Sequence, residues 1–338
     1  MADLPQAGGL LRGAGARSVP LARWLTAALV AAGALTVVFP FVWIALTSLK
    51  TPPEIQRVPL QLAPDHWGNL ENYREVFRRA PFSRFLLNSA LLATVSAVSS
   101  LVVSALAGYG FAKFRFPGHS VFFFAIIGIL MVPFQSVVVP LYLWVSRLGL
   151  LDTYLGILAP DLVSVFGVFL MRQAIEVVPD DYIAAARIDG CGEWGIFWRV
   201  VLPAVTPALA TLAIIKFMWT WNEFFWPLVV VNSPSMKTVT MGLIGFTNMY
   251  FIEYNLVTAA AVVSVLPILL IFVILQKWVV QGEGVGSTTR RARRAWPGCA
   301  PSAPRPRPGQ EPLRPSRRGW SGWSGCRSGR PGRAARPR

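Results

Sequence analysis

Four stretches of this 338-residue chain contain no Asp, Glu, Lys or Arg and are long enough to cross a lipid bilayer. They are 26, 28, 31 and 23 residues long, and they lie between Arg23 and Lys50, Arg84 and Lys113, Arg115 and Arg147, and Glu253 and Lys277. A helix needs about 20 apolar residues to span the hydrocarbon core. Because a water-soluble core does not accommodate four such segments, the sequence predicts an all-α membrane protein.

The apolar segments predict six transmembrane helices in total. Four lie inside the charge-free stretches, at about 25–46, 86–106, 120–143 and 256–275. Two more candidates include ionisable residues: the segment 154–171 contains Asp161, and the segment 208–231 contains Lys216 and Glu223. Charged residues make up only 14% of the chain, whereas a soluble domain usually contains about 25%.

Composition divides the chain into three regions. We expect a cytoplasmic N-terminal segment at 1–23, a membrane domain at 24–281 and a disordered tail at 282–338. From Arg290 onward the chain has 14 Arg, no Lys and one acidic residue, among Pro, Gly and Ser that cannot form a core. Three interpretations of the tail are open: contact with anionic lipid at the inner membrane surface, nonspecific binding of nucleic acid, or translation of a shifted reading frame.

The distribution of Lys and Arg indicates the orientation in the membrane. With the N terminus inside, short outer loops carry only Arg147 and Lys237, and the inner loops carry more: Lys113, Arg115, Arg172, Arg187 and Arg199. The first outer loop opposes this assignment, because it has six basic residues between positions 50 and 84. On balance we expect a multi-pass protein of the cytoplasmic membrane with both termini in the cytoplasm.

The longest inner loop, 172–207, has the pattern of two short helices. The Pro-Asp-Asp sequence at 179–181 predicts a helix start, because acidic side chains stabilise the positive end of the helix dipole. Gly190 is suited to the left-handed conformation that ends a helix. A second helix is expected over about 193–201. On the residues alone, the loop either docks a partner protein through its three consecutive alanines or lies on the membrane surface.

The run Ala185-Ala186-Arg187-Ile188-Asp189-Gly190, followed by Leu202-Pro203, resembles the cytoplasmic EAA loop of ABC-importer permeases. Further motifs support the resemblance: Ser48-Leu49-Lys50, Phe114-Arg115-Phe116-Pro117-Gly118, Gly149-Leu150-Leu151-Asp152 and Trp221-Asn222-Glu223-Phe224. In this order and spacing, over about 21–280, the chain is similar to the carbohydrate permeases related to the G subunit of the maltose importer. The resemblance implies the type I ABC importer permease fold, with six helices, a coupling-helix loop and a core at about 84–277.

The resemblance implies that the loop couples the membrane helices to a partner ATPase. In the family the loop seats in a cleft of the ATPase, and the matching positions here are Ala185, Ala186, Asp189 and Gly190. Polar contacts at the rim are expected from Asp181, Arg187 and Glu193. One position departs from the family pattern: Ala184 stands where a glutamate is usual, and Asp181, one turn earlier, is the carboxylate that can partly replace it.

The function implied by the resemblance is movement of a sugar or oligosaccharide across the cytoplasmic membrane by alternating access. The expected partners are a second permease subunit, two ABC ATPase subunits, an extracytoplasmic substrate-binding protein and membrane lipid. The partner ATPases would use the ATP, because this chain has no G-x-x-x-x-G-K-[ST] phosphate loop. The outer segment 231–255 corresponds to the region that faces the external binding protein.

No catalytic, cofactor-binding or metal-binding motif is recognisable in the sequence. The chain has no H-E-x-x-H or C-x-x-C pattern, and its two His and three Cys are isolated. We therefore expect no enzyme activity, no bound cofactor and no metal. The alternative function is a self-sufficient secondary transporter or channel, driven by an ion gradient through Asp161 and Glu223, because ionisable residues within a span are functional candidates.

A candidate substrate path lies near the end of the fifth predicted span, at Trp221, Asn222 and Glu223. Indole rings stack on sugar rings, and polar side chains bind sugar hydroxyls. Lys216 and Glu223 are seven residues apart, which predicts that they share one helix face. The alternative is that the tryptophans mark a membrane interface and Glu223 is hydrated. We expect Asn88 to cap a helix or to bond a neighbouring helix.

Overall fold

The computed structural model of the chain describes residues 19–59, 61–247 and 252–280, all within the unit Met1–Ala295. These residues are mainly helical, and an isolated bridge pairs Thr247 with Ile252. The helices are α1 (Val19–Thr47), α2 (Pro52–Ile55), α3 (Glu71–Arg79), α4 (Phe82–Lys113), α5 (His119–Gly128), α6 (Phe134–Arg147), α7 (Tyr154–Leu158), α8 (Val165–Glu176), α9 (Asp180–Ile188), α10 (Glu193–Ile196), α11 (Leu202–Ala204), α12 (Thr206–Asn222), α13 (Phe225–Val230), α14 (Val239–Ile244) and α15 (Tyr254–Val280). The expected tail at 282–338, and positions 1–18 of the expected N-terminal segment, lie outside the described residues.

Three helices are long and apolar enough to cross a membrane without interruption. Their spanning segments are Arg23–Thr47, Phe82–Lys113 and Tyr254–Trp278. Two bent pairs also qualify by length and composition: His119–Met131 with Phe134–Arg147, bent by 99°, and Glu193–Ala204 with Thr206–Asn222, bent by 77°. The described residues thus contain three candidate spans, or five if each bent pair forms one span, whereas the sequence predicted six.

Three of the predicted spans are not continuous helices, because the segment 120–143 is also divided, into α5 and α6. The segment 154–171 is divided into α7 and α8 by residues 159–164, and the segment 208–231 is divided into α12 and α13. A new helix begins after Ser164, because its Oγ accepts a hydrogen bond from the Gly167 amide at 3.0 Å and caps α8. The prediction of one continuous helix in each segment is therefore wrong, since apolarity indicates membrane depth but not the local start of a helix.

The longest helix, α4, packs against both α8 and α12. Its buried face is rich in small side chains, which let neighbouring backbones approach closely. At Gly108, an added Cβ would lie 2.8 Å from the Met171 Cβ on α8. At Gly167 on α8, an added Cβ would lie 2.3 Å from the Ser104 Oγ. Glycine at these two positions therefore allows α4 and α8 to pack closely against each other.

Three apolar clusters organise the described residues around α4. One joins α3, α4, α12, α14 and α15 near the Phe82 end, and includes Phe85, Trp221 and Leu256. A second joins α4 and α8 to α9, α10 and the residues that follow them, near the Lys113 end. A third joins α6, α7 and α13 to one side of α4. The apolar segment of α1 is exposed instead, as expected for a helix that contacts lipid or another subunit.

Candidate functional site

The loop between α8 and α12 contains the two short helices that the sequence predicted. α9 begins after Pro179 with two aspartates in its first turn, and it ends at Ile188. Gly190 has a φ of 82°, the left-handed conformation expected for a helix stop. The second helix begins at Glu193 as α10, continues as one π-helical turn over Phe197–Val201, and ends in α11.

The two faces of α9 differ in their surroundings. Ile183 and Ala186 are buried against the cluster near the Lys113 end of α4. The opposite face is open and carries Tyr182, Ala185 and Ile188, the last of which is 87% exposed. Of the seven predicted coupling residues, all but Ala186 are exposed: Asp181, Ala185, Arg187, Asp189, Gly190 and Glu193. Ala186 faces inward, because it occupies the narrow contact between α9 and the cluster.

Arg187 and Glu193 bond to each other across the turn between α9 and α10. The Arg187 Nε donates to Glu193 Oε1 at 2.8 Å. Glu193 Oε2 accepts a second bond from the Tyr109 hydroxyl of α4 at 2.9 Å. The Tyr109 ring also packs on Phe197, with centroids 5.4 Å apart. These two predicted rim residues therefore connect the loop to α4, a role that the local sequence could not reveal because Tyr109 lies 84 residues away.

A second connection joins the start of α9 to the end of α4. The buried Lys113 ammonium donates to the Val178 carbonyl at 2.6 Å and to Asp180 Oδ1 at 2.7 Å. This bond and the positive charge lower the pKa of the exposed Asp180 carboxyl. The loop is thus fixed to the Lys113 end of α4 at two separate points.

Two of the three ionisable residues predicted within spans, Asp161 and Lys216, form a cluster at the break between α7 and α8. The Lys216 ammonium of α12 bonds Asp161 Oδ1, and the Thr220 hydroxyl bonds Asp161 Oδ2. Ser96 of α4 donates to the same Oδ2 at 2.7 Å. The Lys216 side chain is 5% exposed and the Asp161 side chain is 34% exposed. Ser96 lies near the middle of α4, so this charge pair lies at about half the depth of that helix.

Serines of α4 also satisfy the backbone of the break itself. The carbonyls of Asp161 and Leu162 lie in this break, whereas the Ser164 carbonyl accepts from the Val168 amide of α8. Each unsatisfied carbonyl is costly away from water. The donors and acceptors are Ser96 Oγ to Asp161 O at 3.0 Å, Ser99 Oγ to Leu162 O at 2.8 Å, Ser100 Oγ to Asp161 O at 3.4 Å and Ser104 Oγ to Ser164 O at 3.4 Å. The spacing of these serines along α4 follows the helical repeat.

Near its other end, α4 bonds the segment that follows α13. The Asn88 amide donates to the carbonyls of Ser235 and Lys237, both at 2.9 Å, and its Oδ1 accepts from the Tyr154 hydroxyl at 2.8 Å. Ser89 Oγ accepts from the Val239 amide at 2.9 Å. The prediction that Asn88 bonds a neighbouring helix is confirmed by the bond to Tyr154 of α7, and its amide also bonds the segment between α13 and α14.

The turn after α13 is further held by Asp152. Its Oδ1 accepts from the amides of Asn232 at 3.1 Å and Ser233 at 3.0 Å. These bonds, the Ser233 amide first, lower the pKa of the Asp152 carboxyl.

The predicted path residues Trp221, Asn222 and Glu223 do not share one surface. Trp221 is 2% exposed and stacks on Phe217, with centroids 5.6 Å apart, so its ring faces the interior. Asn222 and Glu223 are exposed. The predicted common face of Lys216 and Glu223 is wrong, because α12 ends at Asn222 and Glu223 has an extended ψ of 126°.

The exposed indole in this region is Trp219. Its ring packs beside Phe166 of α8, with centroids 5.3 Å apart, and 53% of its surface is exposed. It lines an open depression of about 300 Å³ together with Ile215, Met218, Asn222 and Glu223. Positions 215, 218, 219 and 222 recur at helical spacing, so the sequence alone predicts that these four residues share one helix face.

Glu223 also has a structural role at the edge of this depression. Its Oε1 accepts from the Trp226 amide at 3.2 Å, so the carboxylate caps the first turn of α13. The Trp226 indole donates to the Gly156 carbonyl at 3.1 Å and fixes α13 to α7. Among the described residues, no group of three His, Cys, Asp or Glu side chains is arranged to hold a metal ion.

Comparison with known proteins places this arrangement in a family of transport proteins. The family model described as "Binding-protein-dependent transport system inner membrane component" matches residues 100–284. The arabinooligosaccharides transport system permease protein AraQ of Halalkalibacterium halodurans is 34% identical over 80% of this chain and 98% of its own length. The lactose transport system permease protein LacG of Rhizobium radiobacter is 33% identical over 72% and 89% of the two chains.

A third relative and a solved structure extend the comparison. The sn-glycerol-3-phosphate transport system permease protein UgpE of Yersinia pestis is 32% identical over 74% of this chain and 92% of its own length. The fold is similar to that of a chain in a bacterial ABC transporter for alginate import, with a TM-score of 0.68, 24% identity and coverage of 78% of this chain and 98% of that chain. The chain belongs to the family of inner membrane components of binding-protein-dependent transport systems.

Proposed function

We propose that this permease moves a sugar or oligosaccharide across the cytoplasmic membrane, driven by ATP hydrolysis in partner ABC ATPase subunits. The names of two relatives, for arabinooligosaccharides and lactose, support a sugar. The name of a third relative supports a polyol phosphate as the second candidate. The observation that carries the proposal is the exposed face of α9, a short helix outside the long spans, in a loop that is bonded at two points to α4.

The composition of that face suits a protein partner. Ile188 projects almost fully into solvent, and Tyr182 is also exposed. Small side chains between them leave room for a partner surface, while the carboxylates of Asp181 and Asp189 lie at the edge. Exposed apolar side chains framed by polar ones are typical of docking sites. The ATPase cleft is the proposed occupant, and Asp181 supplies a carboxylate although Ala184 stands at the usual glutamate position.

Cross-linking of single thiols tests this docking. In a background with its three native cysteines replaced, Asp181→Cys is expected to cross-link to the ATPase in the purified complex. Leu148→Cys provides the matched control, because Leu148 is exposed on the loop between α6 and α7. The proposal fails if the Asp181 thiol captures no ATPase, or if both thiols capture it equally.

We also propose six spans with both termini in the cytoplasm. In this topology α7 and α8 together form the fourth span, and α12 with α13 forms the fifth. The serine bonds across the α7–α8 break support this, because they satisfy the carbonyls that an interrupted span leaves free. A membrane-impermeant maleimide added to intact cells should label the Leu148 thiol and leave the Asp181 thiol unlabelled. The reverse pattern would exclude the orientation.

We propose that the depression at Trp219, Asn222 and Glu223 contacts the sugar during transport. Thr220 bonds Asp161 near mid-depth, and Glu223 follows three residues later, about 5 Å further along. A carboxylate at that depth faces a water-filled space or another subunit rather than lipid. The Trp219 ring offers an apolar face beside these two polar groups.

A transport assay tests the role of Trp219. Loss of one aromatic contact of about 1 kcal/mol reduces affinity by roughly five-fold, so Trp219→Ala should reduce sugar uptake by a similar factor. Trp144→Ala is the control, because Trp144 is comparably exposed on α6 outside the depression. Equal losses of sugar uptake in the two variants would show that the depression does not contact the sugar.

The secondary-transporter alternative has less support, because the Asp161 carboxylate is occupied by an ammonium and two hydroxyls. Uptake that continues without the ATPase partner, and stops with an uncoupler, would favour it over the importer.

A further inference from the structure

We propose that α4 is the strut that transmits movement between the two docking regions of this permease, and that Asn88 and Tyr109 are its positioning residues. The inference rests on the proposed function, in which α9 docks the ATPase, and on the expectation from the sequence that the segment 231–255 faces the external binding protein. It goes further by assigning the connection between these two regions to one helix and to one side chain near each end of it.

The first observation is the continuity of α4. It has 32 residues and no proline, so it is about 48 Å long at 1.5 Å per residue. The other long helices α1, α6 and α15 contain Pro40, Pro140 and Pro267. The remaining spanning segments are bent or interrupted. Among the described helices, α4 is therefore the one suited to act as a rigid element over the whole membrane depth.

The second observation is the attachment of α4 to the outer segment. Asn88 is 3% exposed, and its single amide group makes three bonds, two of them to the carbonyls of Ser235 and Lys237. The neighbouring Ser89 hydroxyl accepts from the Val239 amide. At Gly242 on α14, an added Cβ would lie only 2.5 Å from the Phe85 ring of α4. Movement of the segment 235–242 must therefore carry α4 with it.

The third observation is the attachment near the other end. The Tyr109 hydroxyl donates to Glu193, and the same carboxylate accepts from Arg187, which joins α4 to both helices of the coupling loop. One turn later, Lys113 bonds the Val178 carbonyl and the Asp180 carboxylate. The 21 residues from Asn88 to Tyr109 span about 32 Å of helix. A direct chain of bonds thus connects the two regions through one rigid helix.

The experiment compares ATP hydrolysis by the reconstituted full complex with and without the loaded external binding protein. We expect Asn88→Ala and Tyr109→Phe each to reduce the stimulation ratio at least five-fold, with the basal rate within two-fold of wild type. Because both substitutions interrupt the same strut, the double variant should have the ratio of the lower single variant rather than the product of the two effects. Thr94→Ala is the matched control, since it removes an exposed hydroxyl from the middle of α4.

Each outcome decides the proposal. Unchanged stimulation in both single variants, multiplicative losses in the double variant, or an equal loss in Thr94→Ala would overturn it. If Asn88→Ala does not assemble, Asn88→Asp replaces it, because the aspartate keeps the acceptor for Tyr154 and loses the two amide donations. Absence of stimulation in the wild-type complex would instead contradict the proposed function.

Discussion

The costs in stability of removing Asp161 and Lys216 one at a time should add up to more than the cost of removing both together. The Lys216 ammonium is almost fully buried, so Asp161→Asn leaves it without its carboxylate, at an expected cost of about 3 kcal/mol. Lys216→Met should cost less, about 2 kcal/mol, because Asp161 is one-third exposed and keeps its bonds from Ser96 and Thr220.

The double variant distinguishes a real charge coupling from two independent losses. With neither charge present, the expected cost is about 2 kcal/mol, which is about 3 kcal/mol less than the sum of the single variants. Unfolding of the purified subunit in mixed micelles, titrated with SDS and followed by circular dichroism, measures these free energies. The exposed pair Arg79–Glu253 is the control, for which a coupling below about 1 kcal/mol is expected. If the cost in the double variant equals the sum of the costs in the two single variants, the charges of Asp161 and Lys216 are not coupled and the prediction is refuted.

Three further outcomes are expected. Gly190→Ala should destabilise the coupling loop by about 1–2 kcal/mol, measured by hydrogen exchange, because its φ of 82° disfavours any side chain; equal exchange would contradict this. Gly108→Ala should lower the free energy of unfolding of the subunit by about 1–3 kcal/mol, because the added Cβ would meet Met171. Gly110→Ala should leave the free energy of unfolding unchanged, because an added Cβ there would meet open space. The pKa of Asp152 is lowered, so its stabilisation is present above the ordinary carboxyl pKa and is lost as the pH falls through the lowered value. Unfolding of Asp152→Asn should lack this loss as the pH falls below the ordinary carboxyl pKa of about 4.

The sequence predicted the helical membrane class and the two short helices of the loop 172–207 because both depend on local patterns. Charge-free stretches indicate membrane segments wherever the partner helices lie. The limits of α9 follow from its neighbours in the chain, the Pro-Asp-Asp start and the left-handed Gly190. No knowledge of the tertiary structure is needed for either inference.

The contacts between helices could not be predicted in the same way. Asp161 and Lys216 were both recognised as ionisable residues in spans, but they are 55 residues apart and their pairing depends on how α12 packs beside the break. The helical repeat suggested that Lys216 shares a face with Glu223, and the helix ends before that repeat is complete. Trp221 was selected by its motif, yet the exposed indole is Trp219, because burial is decided by neighbouring helices.

The serines of α4 and the non-helical break at 159–164 each offset the energetic cost of the other. Four hydroxyls on a buried helix face would weaken an apolar contact, and six residues of non-helical backbone would leave carbonyls unsatisfied at membrane depth. Placed together, the hydroxyls donate to those carbonyls, and Ser96 also binds the Asp161 carboxylate that neutralises Lys216. Because either feature alone would be unfavourable, a change that closes the break should be tolerated only when the serines that face it are also replaced by apolar residues.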